Sequence, residues 1–302
     1  MNKCQWVYLS KKKIESLFLQ LNQNVTSDCY LIYLYVKFFV EYMINFVAFS
    51  EYMNFKCYRV FILFSGGGEG VEVRKNEPYK DHPLLGNEFS EGQYTYKVYH
   101  LASKVPNFVR MIAPKGSLEV HEEAHNGYPY CRKVFSNPGY MKENFEIKIE
   151  SYHLADHGNS ENVHQLPPEK LKCREVVHID IAKDKVAAAD YKQDQDPTKF
   201  KSEKTGRGPL INSNWKAEVQ PVMTCYKLVT IEFKFFGLQS RVENYFSTMY
   251  SRNYLHFHRQ VFCSIDKWHG MTMEDIRTLE DKTKEELEKQ RSLGEIRGTK
   301  PI

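Results

Sequence analysis

Two histidines four residues apart, with a glutamate directly after the first, occur at His121-Glu122-Glu123-Ala124-His125. This is the HExxH pattern, in which a helix offers both imidazoles to zinc and the glutamate serves as general base for hydrolysis. The chemistry needs an uninterrupted helix and a third ligand. Asn126-Gly127 and Pro129 follow at once, a combination that ends helices. The acidic candidates for the third ligand are Glu143, Glu146 and Glu150. Two of these fall on the outward face of a predicted strand. A zinc hydrolase is therefore the remote alternative, and the expectation is that the chain is not an enzyme and holds no metal. Gly66, Gly67, Gly68 and Gly70 do not complete GxGxxG, because Val71 takes the last place, and the extended stretch that follows is not the helix a nucleotide site requires. The basic run from Lys199 to Arg207 is interrupted by Glu203, which favours a solvated loop over a nucleic-acid surface.

A second set of residues carries chemistry of another kind. In YTYKVYHL, Thr95 and Lys97 share a strand face with Tyr99 and Leu101. In FEIKIES, Ser151 shares the face of Phe145, Ile147 and Ile149. In KLVTIEFKFF, Lys227 shares the face of Val229, Ile231 and Phe233. A charge on a buried face is costly without a partner. Lysines that snorkel at strand ends, with hydroxyls bonded to backbone, would satisfy each site separately. Together they fit a large apolar cavity with a polar, partly cationic end, suited to acyl chains and a phosphate. On the last helix Met273, Ile276, Thr283 and Leu287 form one stripe, and Glu280 falls on it. That placement points its carboxylate inward, where it could accept hydrogen bonds from hydroxyls; pairing with Lys284 at i+4 is the surface alternative.

These groups need strands and long helices to position them. Period-two alternation predicts strands at 57–64, 71–73, 93–101, 145–151, 176–181 and 227–236. Residues 192–216 are charged and carry Gly and Pro, so they read as a long surface loop. A helix is expected over 241–268. Another is capped by Thr272 with Asp275 closing a capping box, and runs to about Gln290. Strands followed by long helices imply an α+β fold, not a doubly wound sheet.

The 302 residues carry a net charge of +4, mild enough to favour anionic surfaces without requiring nucleic acid. Seven widely spaced cysteines, with no CxxC, fit reduced thiols in the cytosol better than a disulfide framework. Residues 1–53 read differently from the rest. Tyr30 to Phe49 is nearly long enough to span a bilayer, but Lys37 and Glu41 interrupt it. The expected organisation is an N-terminal extension over 1–53, foreign to the domain as translated non-coding sequence would be, with a membrane anchor as the other reading. One domain follows over 54–302.

Residues 65–299 resemble the class I phosphatidylinositol transfer proteins almost end to end. The matching strings are GGGEGVEV, NEPY, GQYTYKVYHLASKVPNFVRMIAP, YPYC, KTGRGPL, NWK, CYKLVTIEFKF, FHRQVFCSIDKW and TMEDIRTLEDKTKEELEKQR. The resemblance implies a START-like, helix-grip α+β fold, with a concave, mainly antiparallel sheet and long helices enclosing one lipid. It implies transfer of phosphatidylinositol and phosphatidylcholine between membranes by a cytoplasmic, transiently membrane-associated monomer. The phospholipid is cargo, no cofactor is implied, and phosphoinositide kinases are possible partners. A phosphoinositide sensor or kinase scaffold that does not transfer lipid is the alternative.

Matched by motif, Thr95, Lys97, Asn126 and Glu280 contact the inositol phosphate, and Lys227 and Ser151 contact the lipid phosphate. In the expected mechanism Lys97 and Lys227 balance the phosphate charge, while Thr95, Asn126 and Glu280 read inositol hydroxyls. Cys131 and Phe257 match positions beside the lipid that influence exchange. Met111 and Ile112 lie in the matching exchange loop, and Ser202 matches a phosphorylation site in a regulatory loop. Phe235-Phe236 stands where the family has a membrane-docking tryptophan pair. Three departures stand out. Cys57-Tyr58-Arg59-Val60 resembles the family's first strand, but the helix that should follow, with its headgroup glutamine, is missing before Gly66. Phenylalanine replaces both docking tryptophans. Lys133 replaces a threonine that contacts phosphate.

Overall fold

The computed structural model describes residues 5–6, 29–38, 70–81, 89–101, 114–188, 190–218, 222–234 and 239–292. The strands are β1 (Gln5–Trp6), β2 (Cys29–Phe38), β3 (Gly70–Tyr79), β4 (Gly92–His100), β5 (Glu119–Gly127), β6 (Tyr130–Asn137), β7 (Lys142–Leu154), β8 (Glu175–His178) and β9 (Met223–Phe233). The helices are α1 (Pro168–Cys173), α2 (Trp215–Glu218), α3 (Gln239–Phe262), α4 (Ile265–Trp268) and α5 (Met273–Ser292). The chain divides into two compact units. The first comprises Met1–Phe46 with Ile149–Gly270, and the second Val47–Lys148 with Met271–Ile302.

In the first unit the strand order is β1-β8-β2-β9-β7, with β7 represented by residues from Ile149 onward. The β2–β9 pair is antiparallel and the β2–β8 pair parallel. Strand β2 takes up Tyr30–Phe38 of the apolar N-terminal stretch; residues 39–49 lie outside the described residues, as does the strand expected at 57–64. No helix among the described residues is long and apolar enough to cross a membrane. Met223–Tyr226 and Leu228–Ile231 are buried on successive positions of β9, so both faces of this strand are covered. Val261, Phe262, Ile265 and Trp268 from α3 and α4 are buried in the same unit. The helix expected over 241–268 is thus two helices, broken at Cys263-Ser264.

The stretch 192–216 is mostly irregular and largely exposed, as expected of a surface loop, but it is anchored at a few buried points. Asp196, Ser202, Arg207 and Leu210 are buried. Arg259 of α3 donates to the Ile181 carbonyl at 2.6 Å and pairs with Asp196 at 3.0 Å. Composition does not reveal these anchors, because a few polar residues bond one another and the helix instead of water.

In the second unit the order is β7-β6-β5-β4-β3, with antiparallel pairing from β3 to β6. The strands expected at 71–73 and 93–101 are β3 and β4. The β5–β6 hairpin was not anticipated, because HEEAHNG is rich in residues that strands disfavour. Helix α5 lies against β3. Its start is the expected capping box: the Thr272 N–H donates to Asp275 at 2.8 Å, and the Asp275 N–H donates to Thr272 Oγ1 at 3.2 Å. Ile276, Glu280, Thr283 and Leu287 are buried along one stripe, spaced as an amphipathic helix requires. Leu287 packs with Val71 and Tyr99, supported by Val73, Leu101, Val120 and Phe135. Burying Ile276 and Leu287 contributes about 1.5–3 kcal/mol each, which holds α5 on the sheet.

Candidate functional site

Register builds the site in the second unit. Residues directly opposite in neighbouring strands share a face. Gln93 pairs with Asn126, and Asn126 with Cys131. Asn76 pairs with Thr95, Thr95 with Ala124, and Ala124 with Lys133. Lys97 pairs with Glu122, and Glu122 with Phe135. One face therefore carries Thr95, Lys97, Asn126 and Cys131, the residues singled out in the sequence, and all four are buried. Gly92 makes the close packing possible: a Cβ there would overlap the Asn126 carbonyl.

Glu280 joins this face from α5. It is 6% exposed and accepts from Asn76 Nδ2 at 3.0 Å and from Arg277 Nη1 at 2.7 Å. Gln93 donates to Asn76 Oδ1 at 2.8 Å. The chain Gln93–Asn76–Glu280–Arg277 links β4, β3 and the helix through consecutive hydrogen bonds. The surface alternative for Glu280, pairing with Lys284, is not what forms.

Glu122 is the residue that sequence reasoning missed. Lys97 Nζ lies 2.7 Å from its carboxylate, and both side chains are 3% exposed. The Tyr99 hydroxyl donates to the same carboxylate. Burial pushes the Glu122 pKa up, but the charges of Lys97 and Lys133 and the hydrogen bonds from Lys97 and Tyr99 outweigh it, so its carboxyl stays below the usual range. The missed signal was period two. Read as a strand, the sequence 121–126 puts Glu122, Ala124 and Asn126 on one face and the histidines on the other.

The same alternation removes the zinc reading. His121 and His125 lie on one face of β5, four residues and about 13 Å apart along the strand, too far to share an ion bound at about 2 Å. His121 Nδ1 meets the Tyr96 hydroxyl at 2.5 Å, and the His125 ring lies 5.3 Å from Tyr79 and 4.8 Å from Tyr94. Among the described residues no group of His, Cys, Asp and Glu could hold a metal. An open groove of about 310 Å³ is lined by Glu77, Pro78, Tyr79, Tyr94, Glu123 and His125. Tyr94, Glu123 and His125 occupy the histidine face of the strands, so this groove is not where Thr95 and Lys97 converge.

The first unit has its own polar cluster. Lys227 Nζ donates to Ser151 Oγ at 3.0 Å and lies 5.2 Å from the centre of the Tyr254 ring. Ser151 is buried and Lys227 is half-buried. His258 is fully buried. Burial, with the nearby charges of Lys227 and His153, holds its pKa well below the usual value, so it is neutral at physiological pH. Phe257 is half-buried and its ring meets His258 edge-on at 5.3 Å. Ser202 is 1% exposed. Its hydroxyl donates to Asp266 and accepts from the Thr205 N–H at 2.9 Å, and Asp266 also accepts from the Glu203 and Lys204 N–H groups. Met111, Ile112, Phe235 and Phe236 lie outside the described residues.

A mainly antiparallel sheet whose inner face carries buried, hydrogen-bonded polar groups under a long helix defines a lipid-binding protein of the START-like α+β class. The family model described as phosphatidylinositol transfer protein matches residues 52–285. The chain is 56% identical to human phosphatidylinositol transfer protein beta isoform over 241 residues, covering 78% of this chain and 86% of the relative. It is 46% identical over 226 residues to phosphatidylinositol transfer protein 1 of Dictyostelium discoideum, covering 74% of this chain and 83% of that protein. The chain belongs to the phosphatidylinositol transfer protein family.

Proposed function

We propose that this protein transfers phosphatidylinositol and phosphatidylcholine between membranes by enclosing one phospholipid at a time, without covalent chemistry. The observation that carries the reading is the buried polar face formed by Thr95, Lys97, Asn126 and Cys131, joined by Glu280 through Asn76. Hydroxyl, amide, ammonium and carboxylate groups gathered on one buried face suit a sugar-like, hydroxyl-rich headgroup. Such a site penalises ligands that lack the hydroxyls, because its buried groups then stay unpaired. In the first unit, Lys227 and Ser151 offer a phosphate one cation and one hydroxyl.

Cys131 and Phe257 line the lipid's path in this proposal. Membrane docking falls to Met111, Ile112, Phe235 and Phe236, and Ser202 is the regulatory phosphosite. The setting is the cytoplasmic face of membranes, and the protein acts as a monomer. The test is lipid extraction and mass spectrometry of the gently purified full chain, followed by vesicle-to-vesicle transfer of labelled phosphatidylinositol. Co-purifying phospholipid and transfer above the protein-free rate are expected. Failure to retain or load any phospholipid overturns the reading. Loading without transfer would favour a phosphoinositide sensor or kinase scaffold.

A further inference from the structure

The face of β3, β4 and β5 turned away from Thr95 and Lys97 gathers a different set of side chains. Glu77 pairs with Tyr94 and Tyr94 with His125, so the three stand in one row across the strands. Tyr79 comes two residues after Glu77, and Glu123 two before His125, so both share that face. With Pro78 they line the open groove of about 310 Å³. The rings are fixed before any ligand arrives. His125 is buried, and its ring lies 5.3 Å from that of Tyr79 and 4.8 Å from that of Tyr94. The Tyr79 hydroxyl donates to the Phe89 carbonyl at 3.3 Å, and the Tyr94 hydroxyl to Glu123 at 3.5 Å.

We propose that this groove is a second binding site, separate from the lipid, that takes an arginine side chain from a partner protein. Its lining carries two carboxylates, Glu77 and Glu123, and no lysine or arginine. Among the described residues Glu123 forms no ion pair. Glu77 meets Lys75 at 3.4 Å with both side chains more than half exposed, a surface pair that an incoming cation displaces at little cost. Arg132 stands opposite His125 on β6, outside the lining. Burial and then the charge of Glu123 push the Tyr94 hydroxyl up to about 12, with Glu77 adding to the effect, so it stays protonated in a negative field. A guanidinium suits these surroundings. It stacks on a tyrosine face, donates to a carboxylate through a planar fork, and sheds water more readily than an ammonium. A phospholipid suits them poorly, because the phosphate beside a choline, like any anionic headgroup, meets carboxylates of its own sign.

The experiment is an NMR titration of the full chain with a blocked Gly-Arg-Gly tripeptide, read at the rings of Tyr79, Tyr94 and His125. Saturable shifts at these rings are expected, with a Kd of about 1–10 mM for so small a probe. The matching tripeptide with citrulline in place of arginine keeps the shape but lacks the charge, and should bind about tenfold more weakly. Glu123→Gln should raise the Kd about three- to fivefold. Tyr94→Leu should raise it about two- to fivefold, whereas Tyr94→Phe keeps the ring and should stay within about twofold. Equal binding of the two tripeptides, an unchanged Kd in Glu123→Gln, or shifts that map elsewhere would overturn the proposal. So would shifts at these rings with phosphatidylcholine vesicles but not with the arginine tripeptide, which would make the groove a lipid contact. If Tyr94→Leu fails to fold, Glu123→Gln still decides, since Glu123 is exposed. The titration needs no bound lipid, so its failure leaves the transfer reading standing.

Discussion

Removing the Glu280 carboxylate separates two roles that the structure gives it. Glu280 clasps α5 to β3 through Asn76 and, in the proposed function, it reads inositol hydroxyls. Glu280→Ala removes the acceptor for Asn76 Nδ2 at 3.0 Å and for Arg277 Nη1 at 2.7 Å. Hydrogen bonds to a charged group contribute about 1.5–3 kcal/mol each. The Arg277 side chain is 33% exposed and recovers water, so most of the loss comes from Asn76, and the destabilisation should be about 2 kcal/mol. Asn76→Ala breaks the same clasp but keeps the carboxylate.

The lipid readout then differs between the two variants. Glu280→Ala should cut phosphatidylinositol loading relative to phosphatidylcholine by about 10- to 100-fold, the equivalent of one charge-assisted hydrogen bond. Asn76→Ala should leave that ratio within about twofold, since the acceptor remains. Thr95→Ala should move the ratio in the same direction as Glu280→Ala by about three- to tenfold, because a neutral bond is weaker. Urea unfolding measures the clasp, and competitive loading from mixed vesicles measures recognition. If Glu280→Ala and Asn76→Ala lower loading of both lipids equally, Glu280 is only a clasp and its recognition role is wrong.

Other outcomes follow from the buried charges. Lys97→Met should destabilise by about 3–5 kcal/mol because it leaves Glu122 ionised and buried, whereas Lys97→Met with Glu122→Leu should recover most of that loss; a double variant as unstable as the single one would contradict the pairing. His258 has a depressed folded pKa, so below about pH 6.5 the unfolded chain binds a proton that the folded chain refuses. Stability should therefore fall as pH drops from 6.5 by up to about 1.4 kcal/mol per unit. His258→Gln should remove that part of the slope in urea titrations between pH 7.5 and 5, and an identical slope would show that His258 titrates normally. Ser202→Asp sets a second carboxylate against Asp266 and should expose 202–207 to limited proteolysis, while Ser202→Ala should change cleavage much less; equal cleavage of the two variants would mean that repulsion by Asp266 plays no part.

Alternation along single strands was enough to place Thr95, Lys97, Ser151 and Lys227 on inward faces, because side-chain direction in a strand depends only on residue parity. The helical stripe of α5 placed Glu280 inward for the corresponding reason, and the Thr272–Asp275 box marked where that helix begins. Local rules reach no further. Which residues become neighbours depends on register between strands distant in sequence, so the partnership of Lys97 with Glu122 and of Glu280 with Asn76 arises only when β3, β4, β5 and α5 assemble. Glu122 shows the difference most clearly. Within its own pentapeptide it reads as a zinc-protease base; strand parity sets it on the face opposite His121 and His125, and the pairing of β5 between β4 and β6 is what makes the segment a strand and brings Glu122 to Lys97. The stretch 192–216 is the converse case. Its polar composition is that of a solvated loop, yet Asp196, Ser202 and Arg207 are buried because tertiary contacts supply the hydrogen bonds that water would otherwise provide.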